Sequence, residues 1–242
     1  MFQTKEIPSK SIEVIDEGLR QYMLKVFNYM GMGLCITALS AYIIANTSLL
    51  FYMLKINSAG QITGLSAIGW IVTFAPLFLI FQFYSALRNG SFATVQILFW
   101  TYSALVGASL GTILIAYTAS SITRVFLITA AMFGTMSLIG YTTKRDLTAF
   151  RSFLMMGLVG VIIASIVNIF MNSSGMYYML SYVSVVLFTG FTAYDIQKIK
   201  GMYIAGDNEE MSSRKAISGA LALYLDFLNL FIALIRIMGD RK

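Results

Sequence analysis

The sequence predicts an all-α, polytopic membrane protein: a seven-transmembrane-helix bundle with the last helix central. Three observations lead there. The chain is 58% hydrophobic and only 12% charged, whereas soluble domains carry about 25% charged residues. Its charges sit at the ends of long apolar runs, and about 20 apolar residues of helix suffice to cross a bilayer. The last run carries a stripe of small and polar residues, which lipid cannot solvate and which therefore belongs inside a bundle.

Composition also removes several classes of chemistry. The net charge of +6 does not mark a nucleic-acid binder, because the basic residues are scattered at helix ends rather than gathered in a patch. There is no His and one Cys, which excludes intrachain disulfides, the usual zinc and haem sites, and Ser-His-Asp or Cys-His nucleophiles. No cofactor is expected. Cys35 lies in an apolar run and reads as a small buried hydrophobe.

Residues 1–22 form a polar segment in which Ile12, Ile15, Leu19 and Tyr22 recur at three and four residues, the period of an amphipathic helix leading into the membrane. The transmembrane domain occupies 23–238, and 239–242 make a short polar tail. The first span is expected at 24–46, before a loop holding Lys55 and residues 57–60. A second follows at 65–87, with Trp70 as an interface anchor and Pro76 as a kink. After the turn Arg88-Asn89-Gly90, residues 92–117 form the third. There Gly107 and Gly111 stand four apart, the spacing that lets membrane helices approach closely. Arg124 opens a shorter fourth span at 125–141. The uncharged stretch beyond Arg151 is too long for one helix. The turn cluster at residues 171–175 divides it into spans at 152–171 and 176–197. A polar loop from Lys198 to Lys215 precedes the seventh span at 217–238.

Seven crossings place twelve of the 17 Lys and Arg on the side of the N-terminus, which the positive-inside rule assigns to the cytoplasm. The basic tail then lies outside, against that rule. A re-entrant seventh segment would remove the conflict, but the segment is long enough to span. A short polar N-terminus without a targeting segment fits a bacterial inner membrane.

Asp195 and Asp226 fall in consecutive spans, and between Gly18 and Tyr194 the only other acid is Asp146. A carboxylate at the centre of a membrane helix costs about 2.5–3.5 kcal/mol on insertion scales, so the two acids are the first candidates for function. Ser218, Ala222, Asp226, Asn229, Ala233 and Arg236 form the stripe on the last span; Ser181, Ser184, Phe188, Thr192 and Asp195 form a weaker one on the sixth. With the spans ending flush, Asp226 lies about 13–15 Å into its helix and some two turns from the level of Asp195. Brought together, two carboxyl groups share a proton, titrate as a unit, and can sense pH or bind a hard cation. The bland alternative pairs each with a nearby base: Lys198 for Asp195, or Arg88 as counter-ion at the end of the second span.

Three stretches, Ala193-Tyr194-Asp195-Ile196-Gln197-Lys198-Ile199-Lys200, residues 221–236 (LALYLDFLNLFIALIR) and Lys144-Arg145-Asp146-Leu147, resemble the Bax inhibitor-1 family, including its bacterial members. The resemblance covers most of the chain after about residue 22. It implies a bundle whose last helix is enclosed by the other six, paired aspartates at Asp195 and Asp226, and an arginine at Arg88. An acid that some members carry in the second span has no counterpart between Leu65 and Leu87. The resemblance further implies a pH-sensitive Ca²⁺ leak and, in eukaryotes, suppression of cell death.

The leading expectation is thus a cation leak, for Ca²⁺, gated by protonation of Asp195 and Asp226. These two would also be the metal ligands, with Arg88 as competitor and Asn229 and Arg236 as polar neighbours. Its partners would be the bilayer, Ca²⁺ and protons. Two alternatives stand beside it. One is a non-conducting regulator that binds other membrane proteins. The other is an intramembrane aspartyl protease, for which Tyr194-Asp195 matches one motif while the Gly-x-Gly-Asp motif is missing at Asp226.

Overall fold

The computed structural model describes residues 9–58 and 61–242, with side chains from Glu17 onward in the first helix. Residues 1–8 of the polar segment, Gly60, and the side chains of Ile12 and Ile15 lie outside the described residues. Among the described residues, seven helices are long and apolar enough to cross a membrane. They are α1 (Ser9–Asn46), α3 (Ala67–Asn89), α4 (Phe92–Ala116), α5 (Ala119–Thr142), α6 (Arg151–Met171), α7 (Ser174–Gly201) and α8 (Glu209–Met238). A short helix α2 (Leu49–Met53) and an antiparallel hairpin of β1 (Leu54–Ile56) and β2 (Ile62–Leu65) fill the stretch expected to be a loop.

Capping side chains fix most helix starts. Ser66, Ser91, Thr118, Ser173 and Asn208 accept hydrogen bonds from the backbone N–H three residues on, satisfying donors a helix start leaves free. Two expected boundaries move for this reason. The fourth span opens at Ala119 behind Thr118, not at Arg124, which lies in the second turn and pairs with Asp240 at 2.9 Å. The seventh opens at Glu209, eight residues before the expected 217: Asn208 caps it, and Glu209 and Glu210 complement the positive helix end. The polar loop shrinks to residues 202–208.

Close approaches at glycines hold the bundle. A Cβ on Gly107 would fall 2.3 Å from the Thr37 carbonyl oxygen, and one on Gly111 2.8 Å from Ile44, so α4 lies tightly on α1. Gly140 brings α5 to the backbone of α7, 2.4 Å from the Ala193 oxygen by the same measure. The four-residue glycine spacing expected to permit close packing is where α1 and α4 meet.

α8 is the central helix. α1, α4, α5 and α7 pack on it, while α3 lies chiefly on α4 and α6 on α7. The enclosure thus comes mainly from four helices rather than six. Its buried surface is also wider than the polar stripe, because Ile217, Leu221, Leu223, Tyr224, Leu230 and Ile235 are each at most 1% exposed. α8 crosses the whole bundle. Near its start, Glu210 accepts a hydrogen bond from Phe92 N at the beginning of α4; at its end, Asp240 O accepts from Thr118 N and Ala116 O from Lys242 N. A re-entrant segment would return the tail to the start of α4, so that alternative is closed.

Cys35 departs from expectation. It is exposed because Gly33 and Thr37, two residues to either side, turn the opposite face of α1 toward α4.

Candidate functional site

α7 and α8 run antiparallel and touch where Gly219 admits Ile199: a Cβ there would lie 3.0 Å from the isoleucine side chain. From that level Asp226 is seven residues along α8 and Asp195 four residues back along α7, about 10 and 6 Å at 1.5 Å per residue. The offset of about 4 Å is within side-chain reach. The side chains of Asp195 and Asp226 thus come close enough to interact, each carboxyl group in the field of the other. A bond between two carboxyl groups exists only while a proton is kept between them, the protonated one donating. The expected separation of two turns assumed that α7 and α8 end flush. Instead, the first turns of α8 project beyond Gly201, the last residue of α7.

Asp226 is 5% exposed, and its Oδ2 has no hydrogen-bond partner among the described residues. Asp195 is half-buried. Lys198, one turn beyond Asp195, acts electrostatically on both carboxyl groups, and Tyr84 of α3 lies within the field of Asp195. Above the pair, Tyr224 is wholly buried. Its ring meets those of Phe99 and Tyr102 edge-on at 5.9 and 6.1 Å. The Tyr224 hydroxyl is 2.6 Å from Thr37 Oγ1, which lies 3.0 Å from the carbonyl oxygens of Gly33 and Ser103. α8 is thereby tied by hydrogen bonds as well as packing, two residues from Asp226.

The family model for the inhibitor of apoptosis-promoting Bax1 matches residues 19–242. The chain belongs to the Bax inhibitor-1 family. Inner membrane protein YbhL of Escherichia coli is 42% identical over 246 residues, covering 97% of each chain. An uncharacterized protein of Rickettsia prowazekii is 42% identical over 230 residues, 95% of this chain and 94% of its own length. An uncharacterized membrane protein of Streptococcus pyogenes is 38% identical over 224 residues, 93% and 94% respectively.

In this Bax inhibitor-1 protein the other sequence-derived residues do not gather at the pair. Arg88 is exposed in the last turn of α3, and no ion pair or hydrogen bond of it is found among the described residues. The guanidinium that does enter the end of α3 belongs to Arg214 of α8, which donates to the Ala86 and Leu87 carbonyl oxygens. The Ala86 oxygen also accepts from Gly90 N at 2.8 Å, but the last carbonyls of a helix lack their full set of intrahelical partners and carry partial negative charge, so they attract a cation. Arg88 points away because Phe83, Ala86 and Leu87 supply the inward face. Asn229 donates to the Leu225 carbonyl of its own helix. Arg236 lies ten residues, about 15 Å, beyond Asp226 toward the tail, over the Tyr177 ring at 5.3 Å.

Lys198 was legible as a neighbour of Asp195 but not as one of Asp226. Arg214 and the Thr37–Tyr224 bond had no sequence signal, since each joins segments well over 100 residues apart.

Proposed function

We propose that this protein is a pH-sensitive cation leak pathway of a bacterial inner membrane, with Ca²⁺ as the transported ion and its N-terminus in the cytoplasm. The observation that carries the reading is the register of α7 on α8, set where Gly219 admits Ile199, which brings Asp195 beside the buried Asp226 inside the bundle. With a proton between them the two groups join α7 to α8. Loss of that proton leaves two like charges in contact in a low-dielectric setting, where repulsion is far stronger than in water. The pair then separates, and its oxygens become the hard ligands a passing Ca²⁺ requires. Lys198 offsets part of the repulsion and would be displaced by the ion. Flux should therefore rise as pH rises through the titration of the pair.

Two carboxylates suit a transient ligand better than a tight resident site. Among the described residues no three His, Cys, Asp or Glu cluster to hold a metal, while tight Ca²⁺ sites use six to eight oxygens. The inner membrane is inferred from relatives such as YbhL and the orientation from the basic residues on the N-terminal side. The protease reading has less support, because Asp226 is enclosed by helices that a peptide bond would have to displace.

The test is Ca²⁺ flux against pH in reconstituted vesicles for wild type, Asp226→Asn and Asp195→Asn. The wild type should leak more at alkaline than at acidic pH, and both variants should lose that dependence. Identical pH profiles from all three would remove the aspartate pair from the mechanism. A flux-silent wild type that retains a stable membrane-protein partner would favour the regulator instead.

A further inference from the structure

α1 packs on α4 and α8, and α5 on α7 and α8. Between α1 and α5 an apolar cleft of about 760 Å³ remains open, with Arg20 and Tyr141 at one end and Gly31 and Gly134 deeper along it. The two glycines make the cleft. A Cβ on either would meet nothing within 4 Å, in contrast to Gly107 and Gly140, where neighbouring backbone fills that space. Along α1 the distance from Arg20 to Gly31 is eleven residues, or about 16 Å, so the cleft runs from the membrane surface well into the hydrocarbon.

Two polar features complete it. Ser137 lines the cleft; it is 7% exposed, and its Oγ has no hydrogen-bond partner among the described residues. Serines inside membrane helices ordinarily bond to the carbonyl four residues back, as Thr129 does to Val125 in the same helix. At the mouth, Lys200 donates to the Tyr141 carbonyl oxygen at 3.0 Å and lies 4.8 Å above the Tyr141 ring. Arg20 shares one guanidinium nitrogen with Glu17 at 3.3 Å. The mouth opens at the end of the bundle where Lys198, Lys200, Arg214 and Lys215 also lie, the side the sequence predicts to be the more basic.

We infer that the α1–α5 cleft is a binding site for one anionic phospholipid. An acyl chain lies over Gly31 and Gly134, the Ser137 hydroxyl turns out from its closed position to donate to an ester oxygen, and the phosphate meets Arg20 and Lys200. Charge selects the headgroup. A cleft with a basic mouth favours an anionic lipid over a zwitterionic one, each nearby cation contributing at the membrane surface. The inference is independent of the leak pathway, since none of these groups touches the aspartate pair.

Native mass spectrometry of the purified full chain, equilibrated with equal amounts of phosphatidylglycerol and phosphatidylcholine, tests it. Wild type should retain one phosphatidylglycerol per chain in preference to phosphatidylcholine. Gly134→Phe fills the cleft and should lower retention at least about tenfold, a loss of one decade in affinity. Gly160→Phe places the same ring on the open face of α6, where a Cβ also meets nothing within 4 Å, and should leave retention unchanged. Arg20→Gln and Lys200→Gln should each reduce the preference for phosphatidylglycerol about fivefold. Unselective retention of both lipids by wild type, or equal retention by Gly134→Phe and Gly160→Phe, would overturn the assignment. Should Gly134→Phe fail to fold, the charge variants decide: an unchanged preference in both would overturn it as well.

Discussion

α6 and α8 are both long apolar helices, yet they occupy opposite environments. α6 has the highest mean hydropathy of the seven spans, and Leu154 is its one buried residue. α8 begins with charged turns and carries Asp226, and fifteen of its residues are buried. In water this order would be reversed, because burial would follow hydrophobicity. In a bilayer the solvent is itself apolar, so the helix with polar groups to satisfy goes inside and the plainest one faces lipid.

The largest expected effect that tests this contrast is at Tyr224. Tyr224→Ala removes a wholly buried ring that meets Phe99 and Tyr102, and should cost about 3–5 kcal/mol. Phe170→Ala trims a side chain on α6 that is 83% exposed and should stay within about 0.5 kcal/mol. Thermal unfolding in detergent compares the two, and equal losses would erase the distinction between a central and a peripheral helix.

Glycines sharpen the same contrast at a smaller scale. Gly140→Ala forces a methyl to 2.4 Å from the Ala193 oxygen and should destabilise by about 1–3 kcal/mol. Gly160→Ala on α6 meets open space and should be neutral or stabilising by up to about 1 kcal/mol, since alanine orders more readily in a helix. The shift in melting temperature should therefore change sign between the two sites.

Thr37→Val keeps the volume but leaves the Tyr224 hydroxyl buried without its partner, at an expected cost of about 1–3 kcal/mol. Thr135→Val on the exposed face of α5, where the hydroxyl bonds only to Ala131 of its own helix, should change stability little. If both behave alike, the bond to α1 contributes nothing to seating α8.

The smallest effect lies outside the membrane. In the loop after α5, hydrogen bonds from the Thr148 hydroxyl and backbone N–H hold the Asp146 carboxyl below its ordinary value of 3.8. A folded-state value below the unfolded one contributes stability at pH above about 4, and that contribution is lost as pH falls through the folded value. Wild type should lose slightly more stability on acidification than Asp146→Asn. A flux profile that follows Asp146→Asn instead of Asp226→Asn would move pH sensing out of the bundle.

Much of the architecture was legible because charge position reports it. Uncharged runs marked seven crossings, the turn cluster at 171–175 separated α6 from α7, and Gly107 with Gly111 marked a close approach. Helix starts were less legible. α8 opens eight residues early because a local capping bond at Asn208 outweighs the polarity of the turns that follow. Arg88 looked like a counter-ion since its place in the sequence is at the right end of α3, but only rotation about the helix axis decides which way a side chain points.

By itself the sequence determined that this chain spans a membrane seven times, that its last helix is central, and that two acids in consecutive spans are its most costly residues. The reason is local: solvation of each side chain depends on what surrounds it in the chain and in the bilayer. Only the tertiary structure decided that Asp195 and Asp226 come to nearly the same level, that Arg214 rather than Arg88 enters the end of α3, and that a cleft stays open between α1 and α5. Those outcomes depend on how far one helix slides and turns against another, which capping bonds and glycine contacts fix across distances in sequence that no local pattern spans.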